Sequence, residues 1–467
     1  MKLKPMRKTL APLTVLLLAP LTITVVGQTP HRTVEVAVKP GDKWVAKPTR
    51  ILADLPGAAG IKPDTGLGQF GGLTSRKETA TGFFHTAKVD GRWWLVDPEG
   101  FLFHHRGVAS VSMLRTPAAQ TAWKEKFANE TRWAERTTEL LRTHGFNGLG
   151  AWTDTDRMSA VKPPLAYTRI WNFMSSYGKK RGGIHQKPGH TGYPGDCIFV
   201  FDPEFEAFCN DHARQLAADK DDPWLLGHFS DNEMPLPASA LKNYLGLPVA
   251  DPGHQAALMW LRARHGADAT ARDIEPKDLP AFLEFMIGRY FSIVSRAIKR
   301  HDPNHLYLGA RFHGSDLRIP EIFRAAGPHV DVISVNCYRA WSPDPERLAM
   351  WARESGKPVI ITEWYAKGAD SGLANTGGAG WLVKTQRDRG MFYENFTLGL
   401  LQSKDCVGWH WFKYIDNDPA DTRSDPSNRD SNKGILSNRY EPYTPLLDSM
   451  KRINQRAYGL VEHFDKL

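Results

Sequence analysis

Two widely separated apolar runs end on a glutamate: L-L-G-H-F-S-D-N-E at 225–233 and P-V-I-I-T-E-W at 358–364. Each has the length and the apolar make-up of a strand buried on both faces. A buried strand does not end on a charge without a reason, because an ionised carboxylate in an apolar interior is costly. The pattern makes sense where several strands point their C-terminal ends at one shared rim, as the strands of a barrel do.

From residue 103 onward the chain supplies such strands. Strand-like runs fall at 103–111, 146–152, 167–171, 225–233, 306–313, 331–338, 358–365 and 407–414, the third being short. Helical stretches lie between them. The clearest, 282–299, sets Leu283, Met286, Ile287, Tyr290, Phe291, Val294 and Ile298 on one face at helical spacing. Another, 345–354, stops at Gly356 with Pro358 beyond it. Eight strands with interleaved helices match an α/β fold, a (β/α)8 TIM barrel with extended βα loops. A doubly wound open sheet is the rival architecture. It would carry a glycine-rich phosphate loop after its first strand, and the chain has none of the required form.

The N-terminal part reads differently. Lys2, Lys4, Arg7 and Lys8 precede an apolar run at 10–26 that Pro12 and Pro20 interrupt, followed by Gly27. That order is a secretory signal peptide over 1–27, and the run is too broken for a membrane anchor. The expected location is secreted or periplasmic, with no membrane association after cleavage. Residues 28–81, rich in Pro, Gly, Thr and Lys, read as an irregular N-terminal leader, and 82–467 as the catalytic barrel. A short hairpin is expected at 89–103, where Asp90-Gly91 marks a tight turn in a Trp-rich run.

Charge and cysteine narrow the function classes. The formal charge is +9, and loss of the signal peptide removes four basic residues and no acidic one. The remaining excess is too mild to argue for nucleic acid. The four cysteines, Cys197, Cys209, Cys337 and Cys406, lack zinc-ligand spacing and any C-x-x-C pair. Cys197 and Cys209 are the nearest candidates for a disulfide, while Cys337 and Cys406 read as buried thiols. His104 and His105 read as structural histidines rather than metal ligands. An excess of 15 Trp leans towards sugar rings, on which flat aromatic faces stack.

In a barrel the working residues sit at the C-terminal strand ends. Here those ends carry Trp152, Asn232, Glu233, His313, Asn336, Tyr338, Glu363, Trp364 and Trp411. Two carboxylates across one cleft are the apparatus of glycoside hydrolysis: one protonates the leaving oxygen, the other attacks or activates water. Glu233 reads as the general acid/base, its affinity for a proton raised by a second carboxylate and by burial. Glu363 reads as the nucleophile, kept charged by hydrogen-bond donors of which Tyr338 supplies one. Asn232 is placed to hold the hydroxyl beside the reacting carbon. Trp152, Trp364 and Trp411 are candidate sugar platforms, though the core claims tryptophans as well. His313 and Asn336 are candidates to bind substrate or to orient the other groups. The loop 416–439 and the insertion after Glu233 are expected to wall the cleft.

Several stretches carry a more specific likeness. D-G-R-W-W-L-V-D-P-E-G, S-D-N-E, I-T-E-W-Y-A-K-G and V-G-W-H-W-F-K-Y-I-D-N-D resemble motifs of glycoside hydrolase family 50, the β-agarases, within the wider clan of retaining (β/α)8-barrel glycosidases. The resemblance runs from about residue 82 to 443. It implies hydrolysis of β-galactosidic links in agarose-type polysaccharide by double displacement, without a cofactor, with Glu233 as acid/base and Glu363 as nucleophile. Members of that family often carry a substantial N-terminal carbohydrate-binding module, and here only the leader before Gly82 is available for one, a departure from the pattern. Trp364 and Trp409 stand where the resemblance leads one to expect a Phe and a smaller residue, which predicts a reshaped substrate pocket. Two alternatives stay open: a β-galactosidase-like enzyme on other galactose-containing glycans, and a sugar-binding barrel without catalysis.

Overall fold

The computed structural model describes residues 32–421, 425 and 427–467, so the expected signal peptide lies outside the described residues. Eight parallel strands form one sheet: β1 (His105–Ala109), β2 (Gly148–Leu149), β3 (Ala166–Ile170), β4 (Leu225–Phe229), β5 (Leu306–Tyr307), β6 (Ile333–Asn336), β7 (Val359–Glu363) and β8 (Cys406–Phe412). Their spatial order is β5-β4-β3-β2-β1-β8-β7-β6, which is the chain order run around a ring. The sheet is curled, and the segment that follows β5 reaches the edge of β6. Phe312 N–H donates to Ser334 O at 3.0 Å, and Asn336 N–H donates to Phe312 O at 2.8 Å.

Alternation along the strands sorts the side chains. Ala166, Leu226, Ile360 and Val407 belong to an inner cluster that continues into Phe84, Leu95 and Phe103. Val359, Ile361, Trp409 and Trp411 belong to the outer core shared with the helices. The amphipathic helix Asp278–His301 buries the face expected of it, Leu283 through Ile298. Gln386–Gln402 opens with a capping box between Thr385 and Asp388. Gly356 takes the left-handed conformation at φ 68° to end helix Pro345–Ser355, as its position predicts.

The sheet's waist is filled by imidazole. His105 Nδ1 and His410 Nε2 are 2.7 Å apart inside the sheet. Burial pushes His105 down to about 4 and His410 well below the usual histidine range, so the pair is neutral. The rings fit because their neighbours lack side chains. A Cβ on Gly148 would lie 2.2 Å from His105 Nε2, and one on Gly150 would lie 2.8 Å from His410 Nδ1. This explains the glycine spacing of the G-L-G stretch that forms β2.

A four-stranded antiparallel sheet, Leu73–Lys77, Phe101–Phe103, Arg92–Val96 and His85–Val89, packs its apolar face against the end where the parallel strands begin. Its hairpin is the expected one: Val89 pairs with Arg92 across Asp90 and Gly91, both at positive φ, as a two-residue turn requires. The described part of the leader, 32–81, is less irregular than its composition implies. Thr33–Ala37 pairs with Val45–Pro48 and with Trp381–Val383, and Leu73–Lys77 joins the antiparallel sheet. Val34 and Val36 are buried in alternation, a pattern too short to stand out among turn-forming residues. All four cysteines are free, so Cys197 and Cys209 are not bridged.

Candidate active site

Backbone geometry marks one end of the sheet. Ser110, Trp152, Asn172, Glu233, Arg311 and Arg339 follow the C-terminal ends of β1 to β6, and all have φ between 52° and 65°. A non-glycine residue in the left-handed region is strained by about 1–3 kcal/mol, and such strain gathers where side chains must be aimed. Here it turns the chain out of the ladder and leaves Trp152, Glu233 and Arg311 directed at a common space. It also explains why β5 is short: Gly309, at φ 78°, and Arg311 break its extended run.

Glu233 follows β4 and is 7% exposed. Its Oε1 accepts from Asn336 Nδ2 at 2.9 Å, and the same amide nitrogen reaches Asn232 Oδ1 at 3.2 Å. The orientation of the Asn336 amide is set from its other side, where Oδ1 accepts from Thr362 Oγ1 at 2.7 Å and from Arg311 Nη2 at 3.3 Å. Burial raises the Glu233 carboxyl to about 8, and the negative charge of Glu363 adds to the rise, against opposing effects of Asn336 and Arg311. A carboxyl in that state carries a proton at neutral pH and can donate it.

Glu363 ends β7 and is 5% exposed. It receives three donors: Arg311 Nη2 on Oε1, Trp152 Nε1 on Oε1 at 3.2 Å, and Tyr338 Oη on Oε2. Such a surround stabilises a carboxylate anion and aims it. The two glutamates thus have different environments, one short of donors and biased towards its protonated form, the other rich in donors. They are joined through Asn336 and Arg311.

Loops close over this pair. The hairpin of His185–Lys187 and His190–Gly192, within the polar stretch at 181–195, brings His190 Nδ1 to 3.7 Å from Glu233 Oε2. Gly189 accepts from Asn232 Nδ2 at 3.2 Å. A Cβ on Gly189 would lie 3.6 Å both from Glu233 Oε2 and from Ser427, so the loop 416–439 meets the hairpin above the carboxyl, as expected of a wall. In that loop Lys433 pairs with Asp425 at 2.8 Å. The insertion after Glu233 contributes less: its helix Ala240–Leu245 packs on the segment before the cleft, with Tyr244 Oη donating to Ile198 O.

Of the residues expected at the rim, Asn232, Glu233, Asn336, Tyr338, Glu363 and Trp152 come together. His313 lies beside His190, with ring centroids 5.1 Å apart, and burial pushes it down to about 4. Trp364 and Trp411 are corrections. Both are fully buried. Trp364 stacks on Phe396 at 4.4 Å and stands edge-on to Trp411 at 5.2 Å, between the sheet and helix Gln386–Gln402. Neither offers a face to a sugar. The reshaped pocket expected from Trp364 and Trp409 fails for the same reason, since Trp409 is also buried and donates to Tyr393 Oη at 2.9 Å. Arg311 and His190 were not anticipated. A lone cation inside the apolar run L-Y-L-G-A-R-F was the signal for Arg311, because a buried charge needs a partner.

A curled eight-stranded parallel sheet gathers two dissimilar glutamates at its strand ends, which is the pairing that glycoside hydrolases use. Comparison with known proteins agrees. No family model matches the chain. Beta-agarase B of Vibrio sp. (strain JT0107) is 29% identical over 486 residues, covering 82% of this chain and 49% of its own length. Beta-agarase A of the same organism is 26% identical over 474 residues, covering 82% and 46%. The chain therefore spans about half the length of these curated relatives. Among solved structures, BpGH50 is 30% identical with a TM-score of 0.81 over 93% of this chain and 96% of that one. The agarase AgWH50C is 25% identical with a TM-score of 0.69 over 85% and 67%. The chain belongs to glycoside hydrolase family 50.

Proposed function

We propose that this chain is a secreted, retaining β-glycosidase of the (β/α)8-barrel type that hydrolyses β-galactosidic links in agarose-type polysaccharide or its oligosaccharides. The observation that carries the proposal is the joining of Glu233 and Glu363 through Asn336 and Arg311. In this reading Glu233 protonates the departing glycosidic oxygen while Glu363 attacks the anomeric carbon. The resulting glycosyl ester is then opened by water, from which Glu233, now ionised, removes a proton. Asn232 and Asn336 hold the hydroxyl next to the reacting carbon, and Trp152 stacks on a sugar ring. A bridged pair of carboxylates supports retention, which needs the two groups about 5–5.5 Å apart, with no space between them for a water to attack directly. The agarase relatives support the choice of substrate, and the basic-apolar-small order of 1–27 supports export.

The test is product analysis. The purified protein is incubated with agarose, carrageenan and small β-galactosides, and the first-formed anomer is followed by proton NMR. New reducing ends from agarose in the β-configuration support the proposal. An α-anomer as first product refutes retention, and the absence of new reducing ends from every substrate refutes hydrolysis.

A further inference from the structure

Two imidazoles lie against the proposed proton donor without a part in its chemistry. The ligating atoms of His190, Glu233 and His313 all lie within 4.8 Å of one another, and His190 Nδ1 is 3.7 Å from Glu233 Oε2. Both His190 Nδ1 and His313 Nδ1 are buried without a hydrogen-bond partner among the described residues. A buried polar atom left unpaired is costly, so two unpartnered ring nitrogens in a group of three side chains gathered around one carboxylate ask for a ligand.

A second cluster of similar composition shows what a satisfied version looks like. His228, Asp302 and His305 also lie within 4.8 Å of one another. There His228 Nε2 and His305 Nδ1 both pair with Asp302 Oδ2 at 2.7 Å. Trp171 Nε1 donates to His228 Nδ1 at 2.9 Å, and His305 Nε2 meets Asp222 O at 2.9 Å. Every ring nitrogen is occupied, and the cluster is a closed structural network. In the group of His190, Glu233 and His313, by contrast, Nδ1 of each ring has no partner among the described residues.

The donor set identifies the ligand class. Two imidazoles and one carboxylate suit zinc and similar first-row transition ions, whereas magnesium and calcium favour all-oxygen shells. A tetrahedral zinc with ligands at 2.0–2.2 Å holds neighbouring donor atoms about 3.3 Å apart, so the His190–Glu233 gap of 3.7 Å needs a small contraction and the His313 ring, within 4.8 Å, has further to move. The His190 hairpin is two-stranded and part-exposed, so a small contraction is within its reach.

We propose that His190, His313 and Glu233 form an inhibitory site for a zinc-type divalent ion. The ion takes the carboxylate as its third protein ligand, the carboxyl proton leaves to solvent, and the fourth position goes to water. Substrate then meets a metal-bound glutamate that has no proton to give. The inhibitory half of this proposal rests on Glu233 being the acid/base; the binding half does not.

The test begins with binding. The full chain, stripped with chelator and desalted, is titrated with zinc chloride by calorimetry, and with cobalt(II) by visible absorption, which reports a four-coordinate site. One ion per chain is expected, with affinity at least about tenfold weaker in His190→Ala, in His313→Ala and in Glu233→Gln. No binding by the parent chain, or affinity unchanged in His190→Ala, overturns the proposal. Melting curves verify that each variant is folded, and His190, on the surface hairpin, is the substitution least able to disturb the core. Inhibition is read next: zinc should arrest hydrolysis reversibly, with EDTA restoring it, and His190→Ala should need at least about tenfold more zinc. Zinc bound at this site without loss of hydrolysis overturns the inhibitory role. Full activity in Glu233→Gln overturns the acid/base reading instead, and the calorimetry is unaffected by that result.

Discussion

Arg311 and Glu363 form a buried ion pair in which the guanidinium keeps two nitrogens, Nε and Nη1, without a hydrogen-bond partner among the described residues. Nη2 alone reaches Glu363, Asn336 and the Thr362 carbonyl. The ring face of Trp152 lies 5.6 Å from the same group, and Phe229 is at 5.3 Å on another side. The cation is therefore held chiefly by position, and its function is to hold Glu363 and Asn336 in register.

Replacing Arg311 should separate positioning from stability. Arg311→Ala leaves a buried carboxylate without its counter-charge, and a loss of about 3–5 kcal/mol in unfolding free energy is expected. Arg311→Lys keeps the charge but not the planar fork, so the fold should survive while kcat/KM falls by roughly 100-fold. Urea titration and steady-state kinetics on the two variants check this.

Glu363→Ala should keep the fold at a stability cost like that of Arg311→Ala, because it strands the buried guanidinium, and should reduce turnover by at least about 10⁴-fold, the scale on which a removed nucleophile acts. Tyr338→Phe removes one donor to Glu363 and should cost about 10²-fold. Appreciable hydrolysis by Glu363→Ala would take the residue out of the nucleophile's position.

The pH dependence follows from Glu233. Its carboxyl is raised from the ordinary 4.5 to about 8. Below that value it is protonated and able to donate; above it the group ionises and faces Glu363 as a like charge. The rate, measured as kcat/KM, should therefore fall on the alkaline side with a midpoint near 8. The same rise has a consequence for stability, present in full below about 4.5 and lost as pH climbs through about 8. Neutralising the partner with Glu363→Gln should lower the Glu233 value, read by infrared difference spectra of the carboxyl band.

The tryptophans should divide into two kinds. Trp364→Ala and Trp411→Ala remove core rings and should cost about 3–5 kcal/mol of stability. Trp152 is 37% exposed, and Trp152→Ala should leave the melting temperature nearly unchanged while raising KM. Trp152→Phe keeps a ring but loses the hydrogen bond to Glu363, so its residual defect should lie in kcat. Thermal melts beside kinetics sort the four variants.

Much of this architecture was legible in the chain because parallel strands buried on both faces are continuous apolar runs. Their order around the sheet then follows from chain order. The glutamates were legible because each ends such a run. The error over Trp364 and Trp411 has a simple origin. Successive strand side chains face opposite ways, so if Glu363 points to the rim, Trp364 points to the helices, and Trp411 shares the outer side with Trp409 while His410 turns in. Reading the period through to the strand end would have excluded both. Arg311 could have been found by asking which carboxylate its charge meets. His190 gave no signal, since only the folded hairpin carries it from a polar loop to Glu233.

The fit between His105 and Gly148 bears on how this chain can change over generations. A methyl group at 148 collides with the ring unless the ring goes too, and losing the ring strands its neighbour His410. No single replacement crosses that gap without passing through a damaged intermediate. Variation in this chain should accumulate in the loops around the rim, while the positions at the waist change together or stay as they are.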